Sequence, residues 1–311
     1  MNGPIGSTGD LRVADMIRRC EIVRVRGSAR QAELDRAVTE EPLEIRLHRR
    51  PFAVVMRTPG ADRELAAGFL LSEQVIRCAG DLGTIEHCRD GGRAGSADPA
   101  GKAGRGGEAR WLLSGDAAAD RPAAPNIVNV TLCDPLLVQR AFEGRRQVTA
   151  SAACGVCGRL TIESLATAAK PLQPSWTVPA QILLSLPDQL RSAQRAFDVT
   201  GGLHAAALFT RDGSVADLAE DVGRHNAVDK VIGRMLMRDA LPLNDCLLCV
   251  SGRTSFEIIQ KAVVAGIPLV AAVSAPSSLA IDLARELGVT LAGFVRGDSF
   301  NLYAHPERVS S

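Results

Sequence analysis

The chain has 311 residues, enough to bury a sizeable core as one large domain or two unequal ones. Lys plus Arg number 36 against 35 Asp plus Glu, a balance that carries no electrostatic footprint for nucleic acid or an anionic membrane. Two Trp, one Tyr and eight Phe are too few rings for a platform that stacks single-stranded bases, and no apolar run is long enough to cross a bilayer.

The opening Met1-Asn-Gly-Pro-Ile-Gly-Ser7 has neither the basic nor the apolar region of a secretory signal, so a cytoplasmic protein is expected. Residues 1–20 read as a loose arm. An N-terminal α+β portion then spans residues 21–150, and residues 151–311 form the main α/β part. Leu43–Leu47 and Phe52–Met56 alternate like strands around a turn at His48–Pro51. Pro59-Gly60 breaks the chain, and Asp62 is placed to cap a helix over Arg63–Ser72. Residues 89–125 are dominated by Gly, Ala, Arg and Asp, and read as a solvated insertion of low complexity. A strand over Asn126–Leu132 follows, then a basic stretch from Arg140 to Arg146.

Past Trp176, two amphipathic helices, Ala180–Leu186 and Pro187–Phe197, are expected to be separated by Pro187. Strands and helices then alternate. Strand Ala205–Thr210 turns at Asp212-Gly213 into a second strand. Helix Asn226–Arg238, strand Cys246–Ser251 and helix Ser255–Ala265 come next. Strand Pro268–Val273, helix Ser277–Leu287 and strand Thr290–Val295 complete the series. Such alternation predicts a mostly parallel sheet with helices on both faces, a three-layer α/β/α domain.

Eight cysteines are spread along the chain. The pair in Ser151-Ala-Ala-Cys154-Gly-Val-Cys157-Gly158 stands out, because glycine removes the bulk that would keep another protein's sulfur away. A thiol there is placed for chemistry, with Arg145, Arg146 and Arg159 near enough in sequence to favour a charged sulfur. Three chemistries are open to the pair: metal binding, disulfide exchange and sulfur transfer. A structural zinc site requires four ligands, and the other Cys-x-x-Cys, Cys246 to Cys249, lies in an apolar strand whose alternation points the two thiols to opposite faces. A thioredoxin-type pair would follow a strand at the start of a βαβ unit, which this pair does not. Both alternatives stay open but weaker.

Three strand–turn–helix junctions, Glu220–His225, Ser251–Thr254 and Ser274–Ser278, offer the free N–H groups that hold anions at the carboxyl ends of strands. As a set they suggest a crevice for phosphates, although each alone suits an ordinary turn or cap. His204 begins a strand in the position of a zinc deaminase histidine. The residue two further on is Ala206, so the glutamate that would shuttle protons is missing. His225, beside Arg224, fits either an acid/base group or a cap.

Several further stretches carry a resemblance: Glu41-Pro-Leu-Glu-Ile-Arg46, Met56-Arg-Thr-Pro-Gly60, Leu65–Glu73, Thr200–Ala207, Glu220–Lys230, Ser251–Ser255 and Gly293–Asn301. Together with Ser151–Gly158 they resemble the formate dehydrogenase accessory sulfurtransferases, the FdhD/NarQ family, over about residues 20–305. The resemblance implies a carrier that takes persulfide sulfur from a cysteine desulfurase. It would pass that sulfur to the molybdenum cofactor, a bis-molybdopterin guanine dinucleotide, before insertion into formate dehydrogenase. It implies Cys154 as the persulfide carrier and Cys157 as its helper. The cofactor would be held by Phe294, Val295, Arg296, Gly297, Asp298 and Ser299, and by Ser251, Gly252 and Arg253 at the crevice, with no structural metal. The implied fold is like that of cytidine deaminase without the zinc chemistry. The sequence leaves the oligomeric state open, a homodimer being the commonest assembly. Competing expectations are a cofactor-binding chaperone that transfers no sulfur, and a zinc or redox protein. Ala152 and Ala153 depart from the serines expected in the family.

Overall fold

The computed structural model describes residues 13–88, 126–143 and 170–311. The insertion at 89–125 and the cysteine turn at 151–158 lie outside them. So do residues 1–12 of the expected arm; its remainder is ordered, with a 3-10 turn at Val13–Met16 leading into the first strand.

In chain order, β1 (Ile17–Arg26) and β2 (Ala29–Val38) form a two-stranded antiparallel ribbon. β3 (Glu41–Leu47), β4 (Arg50–Arg57), β5 (Leu82–His87) and β6 (Ile127–Leu132) make a four-stranded sheet of order β4-β3-β6-β5. Helix α1 (Asp62–Ser72) falls between β4 and β5, and α2 (Pro135–Glu143) follows β6. A short β7 (Val178–Pro179) leads to α3 (Ala180–Ala193) and α4 (Arg195–Thr200). Then come β8 (His204–Thr210), β9 (Val215–Asp221), α5 (Arg224–Met237), β10 (Cys246–Val250) and α6 (Phe256–Ala265). The chain ends with β11 (Leu269–Ala272), α7 (Ser278–Glu286), β12 (Thr290–Arg296), β13 (Ser299–Ala304) and β14 (Val309–Ser310), which pairs with β7.

The large sheet runs β13-β12-β11-β10-β8-β9. It is mixed where a mostly parallel one was expected. Helical crossovers through α6 and α7 make β10, β11 and β12 parallel. The tight turns after Thr210 and Arg296 force β9 and β13 to run antiparallel to their neighbours. Both faces are covered. Ala206, Leu208, Leu248 and Val270 point into a core shared with α5, α6 and α1. Ala205, Ala207, Phe209, Leu247 and Leu269 pack instead with Leu183, Leu186 and Leu190 of α3. Helix α3 runs unbroken through Pro187, because those three leucines, all fully buried, anchor the turns on either side of it.

Helix α1 joins the small sheet to the large one. It crosses α5 at Gly68 and Gly233, where a β-carbon on either residue would overlap the other helix's backbone at Asp229 or Glu64. The resulting core is continuous from Leu43 and Ile45 of β3 to Val231 of α5. Asp62 does not cap α1: its carboxylate takes two hydrogen bonds of 2.9 Å from the Arg57 guanidinium, and Ala61 holds the cap position.

Candidate functional site

Strand direction decides where a ligand can sit. β10, β11 and β12 end at Val250, Ala272 and Arg296, and the antiparallel β8 begins at the same edge, where His204 pairs with Asp221 at the end of β9. Helices α5, α6 and α7 all start at this edge, so their free N–H groups collect there. The three expected junctions do converge. Ser251 exchanges hydrogen bonds with Ala205: its Oγ accepts from the Ala205 N–H at 2.9 Å and its own N–H donates to the Ala205 carbonyl at 3.0 Å. Thr254 bridges to Pro276; its N–H donates to the Ala275 carbonyl at 3.2 Å and its carbonyl accepts from Ser277 N–H at 2.9 Å. Phe294 N–H donates to the Ser274 carbonyl at 3.2 Å, which brings in the β12–β13 turn.

Gly252 sits at the centre of this edge. A β-carbon there would lie 3.2 Å from His204 Nδ1, close enough to press on the imidazole, and 3.8 Å from Arg224 Cδ, so the β10–α6 turn lies against both side chains. Burial holds the His204 imidazole below its ordinary pKa, and the guanidiniums of Arg224 and Arg253 push the same way, while Asp221 opposes them. A neutral imidazole next to two fixed cations makes a site that favours an anion. His225 is buried at the start of α5, its Nε2 3.1 Å from Ser255 Oγ and 3.7 Å from Glu257 Oε2.

Of the six buried side-chain atoms without a hydrogen-bond partner among the described residues, two lie in the turns at this edge: Arg224 Nε and Thr254 Oγ1. Thr254 is 1 % exposed, so its hydroxyl carries an uncompensated desolvation cost. The Thr254 hydroxyl is one the sequence offers for a phosphate, whereas Arg224 is not singled out there as a binding group. The signal was only their place in the turns, since the burial that orphans them comes from distant segments.

The stretch Phe294–Ser299 forms the end of β12 and the tip of its hairpin with β13, where Arg296 pairs with Ser299. Arg296, Gly297, Asp298 and Ser299 are exposed at the rim, and the Arg296 guanidinium lies 5.6 Å from the centre of the Phe294 ring. Val295 is fully buried on the α3 side of the sheet, so its side chain is core and only its backbone can face a ligand. Arg253 is exposed, and Ser251 and Gly252 are half-buried.

Other conspicuous motif residues hold the edge together. Glu220 receives N–H bonds from Ala196 at 3.0 Å and Phe197 at 2.8 Å, at the head of α4. Asp221 accepts from the N–H groups of Thr58 and Gly223 and from Asn226 Nδ2. Deeper in, Lys261 Nζ contacts both oxygens of Asp229, at 2.6 and 2.7 Å, and Ser72 donates to the same carboxylate at 2.7 Å.

Cys154 and Cys157 lie outside the described residues. Cys249 and Cys246 sit on opposite faces of β10, as the alternation requires: Cys249 is sealed on the α3 side, with its thiol pushed up to about 12 by burial, and Cys246 packs on the other face. Among the described residues no group of His, Cys, Asp or Glu is arranged to hold a metal ion, and no helix is long and apolar enough to cross a membrane.

Relatives share this sequence at high identity. A protein named sulfur carrier protein FdhD in Streptomyces avermitilis is 46 % identical over 300 residues, 94 % of this chain and 95 % of its own length. Proteins of the same name in Anaeromyxobacter dehalogenans and Sulfurisphaera tokodaii are 47 % and 40 % identical, covering 88 % and 94 % of this chain and 88 % and 99 % of their own. A crystal structure of a protein from Desulfotalea psychrophila, assigned as a formate dehydrogenase accessory protein, superposes with a TM-score of 0.68 at 23 % identity, over 95 % of this chain and all of that one, and so shares its fold. The model of the FdhD/NarQ family matches residues 38–310, and this chain belongs to that family.

Proposed function

We propose that the protein is a sulfur carrier that serves formate dehydrogenase by moving persulfide sulfur to the molybdenum cofactor. The observation that carries this reading is the gathering of three strand–turn–helix junctions around Gly252, in a chain whose relatives bear the name sulfur carrier protein. A guanine dinucleotide brings a diphosphate, and this edge supplies Arg224, Arg253 and three helix starts. The orphaned Thr254 hydroxyl and Arg224 Nε fit a polar ligand that satisfies them on binding. The cofactor is cargo here. Ser251, Gly252 and Arg253 hold it at the crevice, and Phe294, Arg296, Gly297, Asp298 and Ser299 hold it at the hairpin, with Val295 contributing backbone alone.

In this scheme the Cys154 thiolate attacks the outer sulfur of the desulfurase persulfide. A new S–S bond forms on Cys154 as the bond to the donor cysteine breaks, and the donor leaves as a thiolate with no net redox change. Cys157 assists or relays. The protein then acts as a cytoplasmic sulfurtransferase on a deaminase-like scaffold that has lost the zinc chemistry, and works as a homodimer.

Incubation with a cysteine desulfurase and sulfur-labelled cysteine tests this. Label should load onto the wild type and onto Cys246→Ala, and should be lost in Cys154→Ala. Full labelling of Cys154→Ala refutes the assignment. Restoration of formate dehydrogenase activity by Cys154→Ala in a deletion strain would favour the chaperone reading in its place.

A further inference from the structure

The ribbon of β1 and β2 is ten residues long on each side, paired from Ile17↔Val38 to Arg26↔Ala29, or roughly 30 Å of chain at strand spacing. Residues directly opposite in an antiparallel pair share a face, so the register sorts its side chains. One face carries Arg18, Cys20, Ile22, Arg24 and Arg26 with their partners. Here Arg24 forms ion pairs with Glu33 and Asp35, and Cys20, Ile22 and Glu33 are half-buried. Beyond Ile17 and Val38 at its root, the other face holds Arg19 opposite Arg36, Glu21 opposite Leu34, Val23 opposite Ala32 and Val25 opposite Arg30. All eight of these are exposed, with Val23 at 60 %, Val25 at 56 % and Leu34 at 66 %.

Such a face is costly alone. A two-stranded ribbon in water is marginal, and like charges directly opposite, as at Arg19 and Arg36, destabilise it further. No carboxylate among the described residues pairs with Arg19, Arg30 or Arg36. An apolar patch flanked by three unpaired arginines and one glutamate is complementary to an acidic partner. It is a poor match for a second copy of itself, because stacking two such faces would set six arginines against two glutamates.

Position adds a second point. The ribbon is rooted by Met16, Ile17 and Val38, packed with Ala196, Leu203 and Val222. Leu203 precedes His204 and Val222 follows Asp221, so the root lies beside the crevice edge. We propose that the exposed face of this ribbon docks an acidic segment of a protein partner, one bearing apolar side chains that cover Val23, Val25 and Leu34. The docking surface stands without any reading of the crevice; only its purpose, holding a partner that exchanges cargo there, rests on the sulfur-carrier reading.

The test uses the full chain and a fluorescein-labelled amphipathic peptide of Leu and Glu, with a Leu and Lys peptide as control, followed by fluorescence anisotropy. The acidic peptide should bind more weakly as salt is raised, and its affinity should fall at least about tenfold in Arg19→Glu/Arg36→Glu and in Val23→Ser/Leu34→Ser. Arg18→Glu, on the opposite face, should bind like the wild type. Equal binding to all variants, or equal binding of the lysine peptide, overturns the proposal. So does a wild-type dimer in ultracentrifugation that Leu34→Ser converts to monomer, since a second copy then owns the face. GDP binding is measured on the same variants: lost peptide binding with intact GDP binding supports the ribbon surface, and lost GDP binding in the wild type bears on the crevice alone.

Discussion

Lys230 Nζ lies 2.6 Å from Asp221 Oδ2, with both side chains sealed from solvent at 2 % and 0 % exposure. The same ammonium donates to the Thr58 carbonyl at 2.9 Å, and Thr58 Oγ1 accepts from Val222 N–H at 3.1 Å. Asn226 Nδ2 adds a bond to the Met56 carbonyl at 2.7 Å. Two stretches far apart in sequence, Met56–Gly60 and Glu220–Lys230, are thereby fastened at the edge of the large sheet where β9 ends and α5 starts. Their charged residues hold the small sheet against the large one and fix the start of α5.

Removing one partner of such a pair leaves the other charge buried. Lys230→Ala should cost about 3–5 kcal/mol of stability, while Asp221→Asn/Lys230→Met, which removes both charges, should cost clearly less. Urea unfolding followed by circular dichroism checks the ordering. Equal losses in the two variants would mean that the lysine acts through packing rather than charge.

The elements most legible in the sequence were those with long apolar runs closed by Gly, Pro or Ser. Strands β8, β10 and β11 and helices α5 to α7 fall within a few residues of expectation for that reason. The ribbon was not legible, because strands exposed on both sides need no apolar alternation, and Arg and Val simply mix along β1. Strand β13 was hidden because Arg296–Ser299 reads equally as a ligand loop and as a hairpin turn. At the site, the turns at Ser251 and Ser274 were visible as strand–turn–helix junctions. The isolation of Thr254 Oγ1 was not, since it follows from what Ala275, Pro276 and Ser277 do to its surroundings.

Thr254 separates a structural role from a binding one. Valine matches threonine in shape and removes a hydroxyl that has no partner in the described structure. Thr254→Val should therefore keep stability or raise it by about 1 kcal/mol. Isothermal titration with GDP should show weaker binding in the same variant. Unchanged affinity would show that the hydroxyl does not serve the ligand.

Cys249 is a core residue with its thiol pushed up to about 12. Iodoacetamide on the native protein near pH 8 should leave it unmodified, since the thiolate is the reactive form. Peptide mass spectrometry reads the outcome, and label on Cys249 under native conditions would show that β10 opens.

His204 gives the crevice a pH dependence whose sign follows from its surroundings. Burial, then Arg224 and Arg253, hold the folded imidazole below its ordinary value of about 6.5. The unfolded chain therefore takes up its proton at higher pH than the folded one. The stability from keeping His204 neutral is full above about 6.5 and is lost as pH falls through the folded value. His204→Asn should flatten that part of the stability–pH curve. A bound diphosphate acts in the opposite direction, because its charge favours the imidazolium and raises the folded pKa, so binding takes up a proton. GDP affinity in the wild type should rise relative to His204→Asn as pH is lowered below 6.5, and the ratio of the two cancels the titration of the nucleotide itself. A constant ratio would place the phosphates away from His204, towards Arg296 on the hairpin.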